Sequence, residues 1–190
     1  MGKLNMSSLF IFLSSLLVLI SPIVYARAIL RGEARPRRTT RFVLLVIALL
    51  STASLFANHD TVAVWLAAVT TLQAIIVFAL SIKYGMGGFA KLDLLCLVIA
   101  LAGIVAWRMT DNPLLGLYFS LLADFTGVIP TIVKTYRLPK TEIATFFVLD
   151  SFAACFTLLA IPIYTIGDIA YPIYILMINT LMTSLILWRR

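Results

Sequence analysis

The stretch Ser21-Pro22-Ile23-Val24-Tyr25-Ala26-Arg27 has a counterpart about 108 residues further on, Ile129-Pro130-Thr131-Ile132-Val133-Lys134-Thr135. Around each lies the same pattern: a long apolar run broken by proline near its end, a short basic connection, then two more apolar runs. A pattern that returns at this spacing points to a duplicated membrane bundle. Membrane proteins built from duplicated halves commonly hold a substrate between them.

Composition agrees. The chain has 190 residues, of which 62% are hydrophobic and 12% charged, and its mean hydropathy is +1.07. A water-soluble domain has no means of hiding that much apolar surface. Seven apolar runs are long enough to cross a hydrocarbon core of about 30 Å as helices, over residues 6–30, 41–58, 61–84, 90–109, 113–136, 142–163 and 168–188. Turn and cap signals mark where the runs stop: Asn58-His59-Asp60, Gly85-Met86-Gly87-Gly88, Asp111-Asn112-Pro113, Pro139-Lys140 and Gly167-Asp168. The expectation is one all-α, polytopic membrane domain over residues 1–190, with 6–84 and 113–188 as two parallel three-helix bundles and 90–109 as the linker helix.

A net charge of +7 and a pI near 9.7 would suggest nucleic acid in a soluble protein, but the placement of the charges argues for orientation instead. Arg27, Arg31, Arg35, Arg37, Arg38 and Arg41 surround the first connection. Lys83 and Lys91 surround the third, Lys134, Arg137 and Lys140 the fifth, and Arg189 and Arg190 close the chain. With seven spans all of these share one face, while the other keeps Lys3 and Arg108 beside Asp60, Asp111 and Asp168. The positive-inside bias then sets the N-terminus outside and the C-terminus in the cytoplasm, in a plasma or inner membrane or, as the alternative, an organelle membrane. The basic cluster has a second reading as an anionic-lipid site. Residues 1–28 also have signal-peptide features in Lys3, an apolar stretch and Ala26-Arg27-Ala28. Cleavage there would strand the arginines outside and delete the helix that matches the fifth span. Cys96 and Cys155 fall within apolar runs and read as small core residues, not as a disulfide.

The two halves continue to match beyond the prolines. Phe42-Val43-Leu44 aligns with Phe147-Val148-Leu149, Thr52 with Thr157, and Thr70-Thr71-Leu72 with Asn179-Thr180-Leu181. A three-plus-one-plus-three plan with a proline in the first helix of each half and a basic loop after it resembles the SWEET and PQ-loop superfamily, which includes the PnuC vitamin transporters. The proline-glutamine pair of PQ-loop proteins is here Pro22-Ile23 and Pro130-Thr131. Ala123-Asp124-Phe125-Thr126-Gly127 is similar to a stretch of the cystinosin branch, a resemblance that implies proton coupling at Asp124. It also implies alternating access between the halves, and an asparagine facing the substrate at Asn179.

The residues themselves offer a candidate site. Asp124 and Asp150 lie well inside their spans, where a carboxylate costs roughly 2.5–3.5 kcal/mol and usually turns toward a cavity or a partner. Their repeat counterparts are Leu16 and Leu45. Both are candidates for proton coupling or substrate contact, the competing role being a hydrogen-bonded tie between helices. Asp124 shares a helical face with Ser120, Gly127 and Thr131, and Asp150 with Phe146, Ala154 and Thr157. Small neighbours of this kind serve either close helix approach or a polar cavity. Asn179, with Thr70 as its counterpart and Gln73 near it, offers hydrogen bonds without a charge to desolvate. Trp65 and Tyr174 occupy matching positions and would stack on a ring-shaped solute. Trp107 and Trp188, at span ends, read as interfacial anchors. Pro22 and Pro130 are the proposed hinges, with a static kink as the alternative.

No cysteine-histidine ligand set, glycine-rich phosphate loop or serine-histidine-acid pattern is recognisable, so no catalytic residue, metal or cofactor is expected and an enzyme is disfavoured. The expected partners are a bilayer, a small polar solute and protons, with a homo-oligomer left open and no nucleic acid. A non-transporting receptor or assembly subunit on the same fold is the second hypothesis.

Overall fold

The apolar runs become helices almost residue for residue in the computed structural model, which describes residues 6–87 and 91–189. Lys3, Gly88, Ala90 and Arg190 lie outside the described residues. The helices are α1 (Met6–Leu30), α2 (Arg38–Ala57), α3 (Ala63–Tyr84), α4 (Lys91–Thr110), α5 (Pro113–Arg137), α6 (Ala144–Ala160) and α7 (Ile166–Arg189), with one 3-10 turn at Pro139–Thr141. Six of the seven are long and apolar enough to cross a membrane; α6, at 17 residues, is the short one.

The differences from the expected boundaries have local causes. α6 stops at Ala160 instead of 163 because Ile161, at φ −70° and ψ 120°, is held extended by Pro162 behind it. Two of its last carbonyls are taken up by hydroxyls, with Ser7 Oγ donating to Ala160 O (2.7 Å) and Tyr164 Oη to Leu158 O (3.0 Å). α2 begins at Arg38, earlier than expected, directly after Pro36 and an extended Arg37. The turn signals act as anticipated. Asp60 Oδ1 accepts from the amides of Val62, Ala63 and Val64 at the start of α3, and Asn112 Oδ1 accepts from Leu114 N ahead of α5. His59 and Asp111 take positive φ (57° and 49°) at these turns.

Polar and apolar residues are distributed inside out relative to a soluble bundle. Phe12, Leu94, Leu101, Val105 and Phe152 are exposed, while Ser21, Gln73, Ser120, Asp150, Thr157 and Asn179 are buried. This inversion suits a hydrocarbon surround, and the chain is a multi-pass membrane protein by this criterion together with helix length.

α1 packs on α3 and α6, and α3 on α2; α7 packs on α5 and α6; α2 packs on α5, and α4 on α5 and α2. The backbones of α1 and α2 do not run side by side, and neither do those of α5 and α6, among the described residues; α1 and α2 meet through the side chains of Tyr25 and Arg41. A hydroxyl pair ties each of two long interfaces, Ser14 with Thr157 between α1 and α6 and Ser51 with Ser120 between α2 and α5, both at 2.7 Å. Close approach depends on glycine at Gly116, where a Cβ would meet Ser54 Oγ at 2.6 Å and the Trp107 ring at 2.9 Å. Cys96 and Cys155 are free.

Candidate functional site

Polar side chains from separate stretches of sequence line one cavity of about 140 Å³: Thr70 and Gln73 of α3, Asp124 and Thr131 of α5, Asp150 of α6 and Asn179 of α7. Arg41 of α2 lines it as well, and Ala48, Val77, Phe146, Phe147, Ile178 and Met182 supply apolar wall.

Asp150 is the most constrained of these groups. Gln73 Nε2 donates to its Oδ2 (2.9 Å), and the same amide accepts from Ser21 Oγ of α1 (3.2 Å), so a relay crosses three helices. Asp150 Oδ1 is buried without a hydrogen-bond partner among the described residues. Asp124 accepts a short hydrogen bond from the Tyr174 hydroxyl. Thr70 returns its hydroxyl to Leu66 O and Asn179 its amide to Ile175 O, both at 2.8 Å.

The small neighbours of the two aspartates divide between the roles open to them. Thr131 and Phe146 line the cavity. Ser120 and Thr157 are spent on the interhelical hydroxyl pairs, Ala154 sits in an apolar layer, and Gly127 lies against Cys96 and Leu44, where a Cβ would come to 3.3 Å. Trp65 departs from expectation. It is 56% exposed, and neither it nor Tyr174 lines the cavity; Tyr174 reaches the site through its hydroxyl, which donates to Asp124. Trp188 is exposed at the end of α7, as an anchor would be, whereas Trp107 packs against the core between α2 and α4.

Toward its two ends the cavity is bordered by two different sets of side chains. Val18, Leu66, Ala67, Leu117, Ala154 and Tyr171 form a buried apolar layer toward the end that carries Asp60 and Asp168. Toward the basic end the closure is ionic. Arg41 Nη2 donates to Tyr25 Oη (2.9 Å), Tyr25 Oη to Glu142 Oε2 (2.7 Å), and Lys134 Nζ to Glu142 Oε1 (2.5 Å) and Arg35 O (3.3 Å). Arg41 also stands over the Tyr25 ring, 5.3 Å from its centre. Tyr25 and Glu142 are fully buried and Lys134 nearly so. Pro130 sits beside this network and Pro22 one turn before Tyr25, Pro130 bordering a small gap with Arg41, Lys134 and Glu142.

None of these four ionic-network residues stands out in the sequence as a site. Arg41 and Lys134 read as orientation signals, and Tyr25 and Glu142 are 117 positions apart. The available signal was Glu142 itself, an acid in a connection otherwise rich in cations. No family model, curated protein or solved structure matches the chain.

Proposed function

We propose that the protein carries a small polar solute across its membrane by alternating access between α1–α3 and α5–α7, with α4 as the linker. The observation that carries this reading is the convergence of polar groups from both triples on one cavity between two closures. The duplicated three-plus-one-plus-three plan is supported by matching neighbours: α3 lies between α1 and α2, α7 lies between α5 and α6, and α1 meets α6 as α5 meets α2. This is the arrangement expected from the SWEET and PQ-loop resemblance, with the N-terminus outside and the basic end cytoplasmic.

A cavity of about 150 Å³ holds a benzene-sized molecule, so the 140 Å³ space favours a solute of one small ring or less. In this proposal Asn179, Thr70 and Gln73 contact the solute, Asp124 and Asp150 exchange protons, Tyr174 holds Asp124, and Pro22 and Pro130 flex. The receptor or assembly-subunit reading draws on a different observation: Gln73 and Tyr174 both spend polar groups on neighbouring side chains.

Thermal-shift screening of the purified protein against sugars, amino acids and vitamins identifies a solute, since a ligand that binds the folded state raises its apparent stability. Counterflow of that solute in vesicles then tests carriage. Asp124→Asn is expected to abolish the pH dependence of flux; unchanged transport and pH response would remove Asp124 from coupling. Binding without counterflow would favour the receptor.

A further inference from the structure

Along the outer side of α4 and α5, at the basic end, runs a groove of about 450 Å³ that contains Arg37, Lys91, Lys134 and Arg137. We propose that it is a binding site for the headgroup of an anionic phospholipid. Its cations come from three elements, the loop before α2, the first residue of α4 and the last turn of α5, and no carboxylate lines it among the described residues. The nearest acid on α4, Asp93, is fully buried and does not line the groove, and Glu142 is bonded to Lys134 and Tyr25. Lys134 is already balanced by Glu142, and the like charges of Arg37, Lys91 and Arg137 gathered in one concavity repel one another, a cost that an anion seated among them removes.

The walls select the kind of anion. Leu92 and Val133 also line the groove, and Val133 is 45% exposed, so an acyl chain has apolar surface to lie on directly below the headgroup. Free phosphate would leave that surface unused. Lys91 and Arg137 are exposed at helix ends, the depth at which long basic side chains reach lipid headgroups. Lys134 lines the groove and also holds Glu142 in the ionic closure, so an occupied groove abuts the closed end of the cavity.

The test uses the full-length protein in phosphatidylcholine vesicles with a trace of spin-labelled phosphatidylglycerol or spin-labelled phosphatidylcholine, comparing how strongly each associates. Phosphatidylglycerol is expected to be preferred, and Lys91→Gln and Arg137→Gln are each expected to lower that preference by up to about fivefold. Arg27→Gln and Arg31→Gln remove equal charge from the same face away from the groove and should leave it unchanged. Absence of a preference, or equal loss in both sets, overturns the site in favour of a diffuse surface field. Displacement of the label by inorganic phosphate overturns the lipid assignment in favour of a free-anion site. Each variant's thermal unfolding checks that it is folded, and since no transport is read, the result is independent of carriage.

Discussion

Asp150 carries one oxygen bonded to Gln73 and one that is bare, which makes the amide of Gln73 worth more than an ordinary hydrogen bond. Removing one partner of a buried polar pair exposes the full desolvation cost of the other, about 1–3 kcal/mol and more for a charged group, whereas removing both is close to neutral. Gln73→Leu is therefore expected to lower stability by at least about 1–3 kcal/mol, and Gln73→Leu with Asp150→Leu to recover most of the loss. Denaturant unfolding in detergent measures both. A double variant as unstable as the single one would place the loss in the other contacts of Gln73, the bond from Ser21 included. Both aspartates and Asn179 were legible as candidates because polar atoms in an apolar run are costly. Which way each pointed was not. α3 is apolar on nearly every side, so no stripe in its sequence distinguishes Trp65, which faces outward, from Gln73, which faces in.

α1 and α5 each contain a proline that leaves a carbonyl four residues earlier without its usual donor. In α1 that carbonyl is Val18 O, and Ser21 Oγ approaches it at 3.5 Å, at the weak limit of a hydrogen bond. In α5 it is Thr126 O, while the Thr126 hydroxyl turns back to Leu122 O and Ala123 O. Pro130→Ala restores the backbone donor and is expected to raise thermal stability, by up to about 3 kcal/mol, while slowing counterflow if bending at this point accompanies access. Stability raised with flux unchanged would make Pro130 a static kink. α7 has a third proline, Pro172, which a search for a proline shared by both halves passes over. The element boundaries were readable because apolar length and turn residues act locally. Of the two ends displaced by three residues, the start of α2 and the end of α6, the latter came from a proline whose effect falls on the residue before it.

At the scale of the whole molecule, Glu142 ties together the elements that meet at the basic end. Breaking a buried ion pair by removing a single partner costs about 3–5 kcal/mol, and here Glu142 holds both Lys134 and Tyr25. Glu142→Gln is expected to loosen the network at the basic end. In a Cys96→Ser, Cys155→Ser background, Thr131→Cys should then be labelled faster by a membrane-impermeant maleimide added on the basic side. Tyr25→Phe removes only the bridging hydroxyl and guards against a Glu142 variant that fails to fold. Labelling that rises only from the opposite side would mean that the apolar layer, and not the ionic network, is what opens. This network could not be read from the sequence because its charges are the same ones that announce topology, and only the folded bundle distinguishes a cation held by a carboxylate from one left to the lipid surface.

The shortness of α6 reaches beyond the protein. Seventeen residues span about 26 Å, less than the roughly 30 Å of an average hydrocarbon core, and hydroxyls of Ser7 and Tyr164 satisfy two of its terminal carbonyls where water would otherwise be drawn in. The wall that carries Asp150 is thus matched to a thinner leaflet pair than its neighbours. Hydrophobic mismatch of this kind is relieved by local bilayer thinning or by tilt, each at fractions of a kcal/mol per Å. Acyl-chain length, independent of headgroup charge, becomes a variable that bears on one side of the cavity more than on the other.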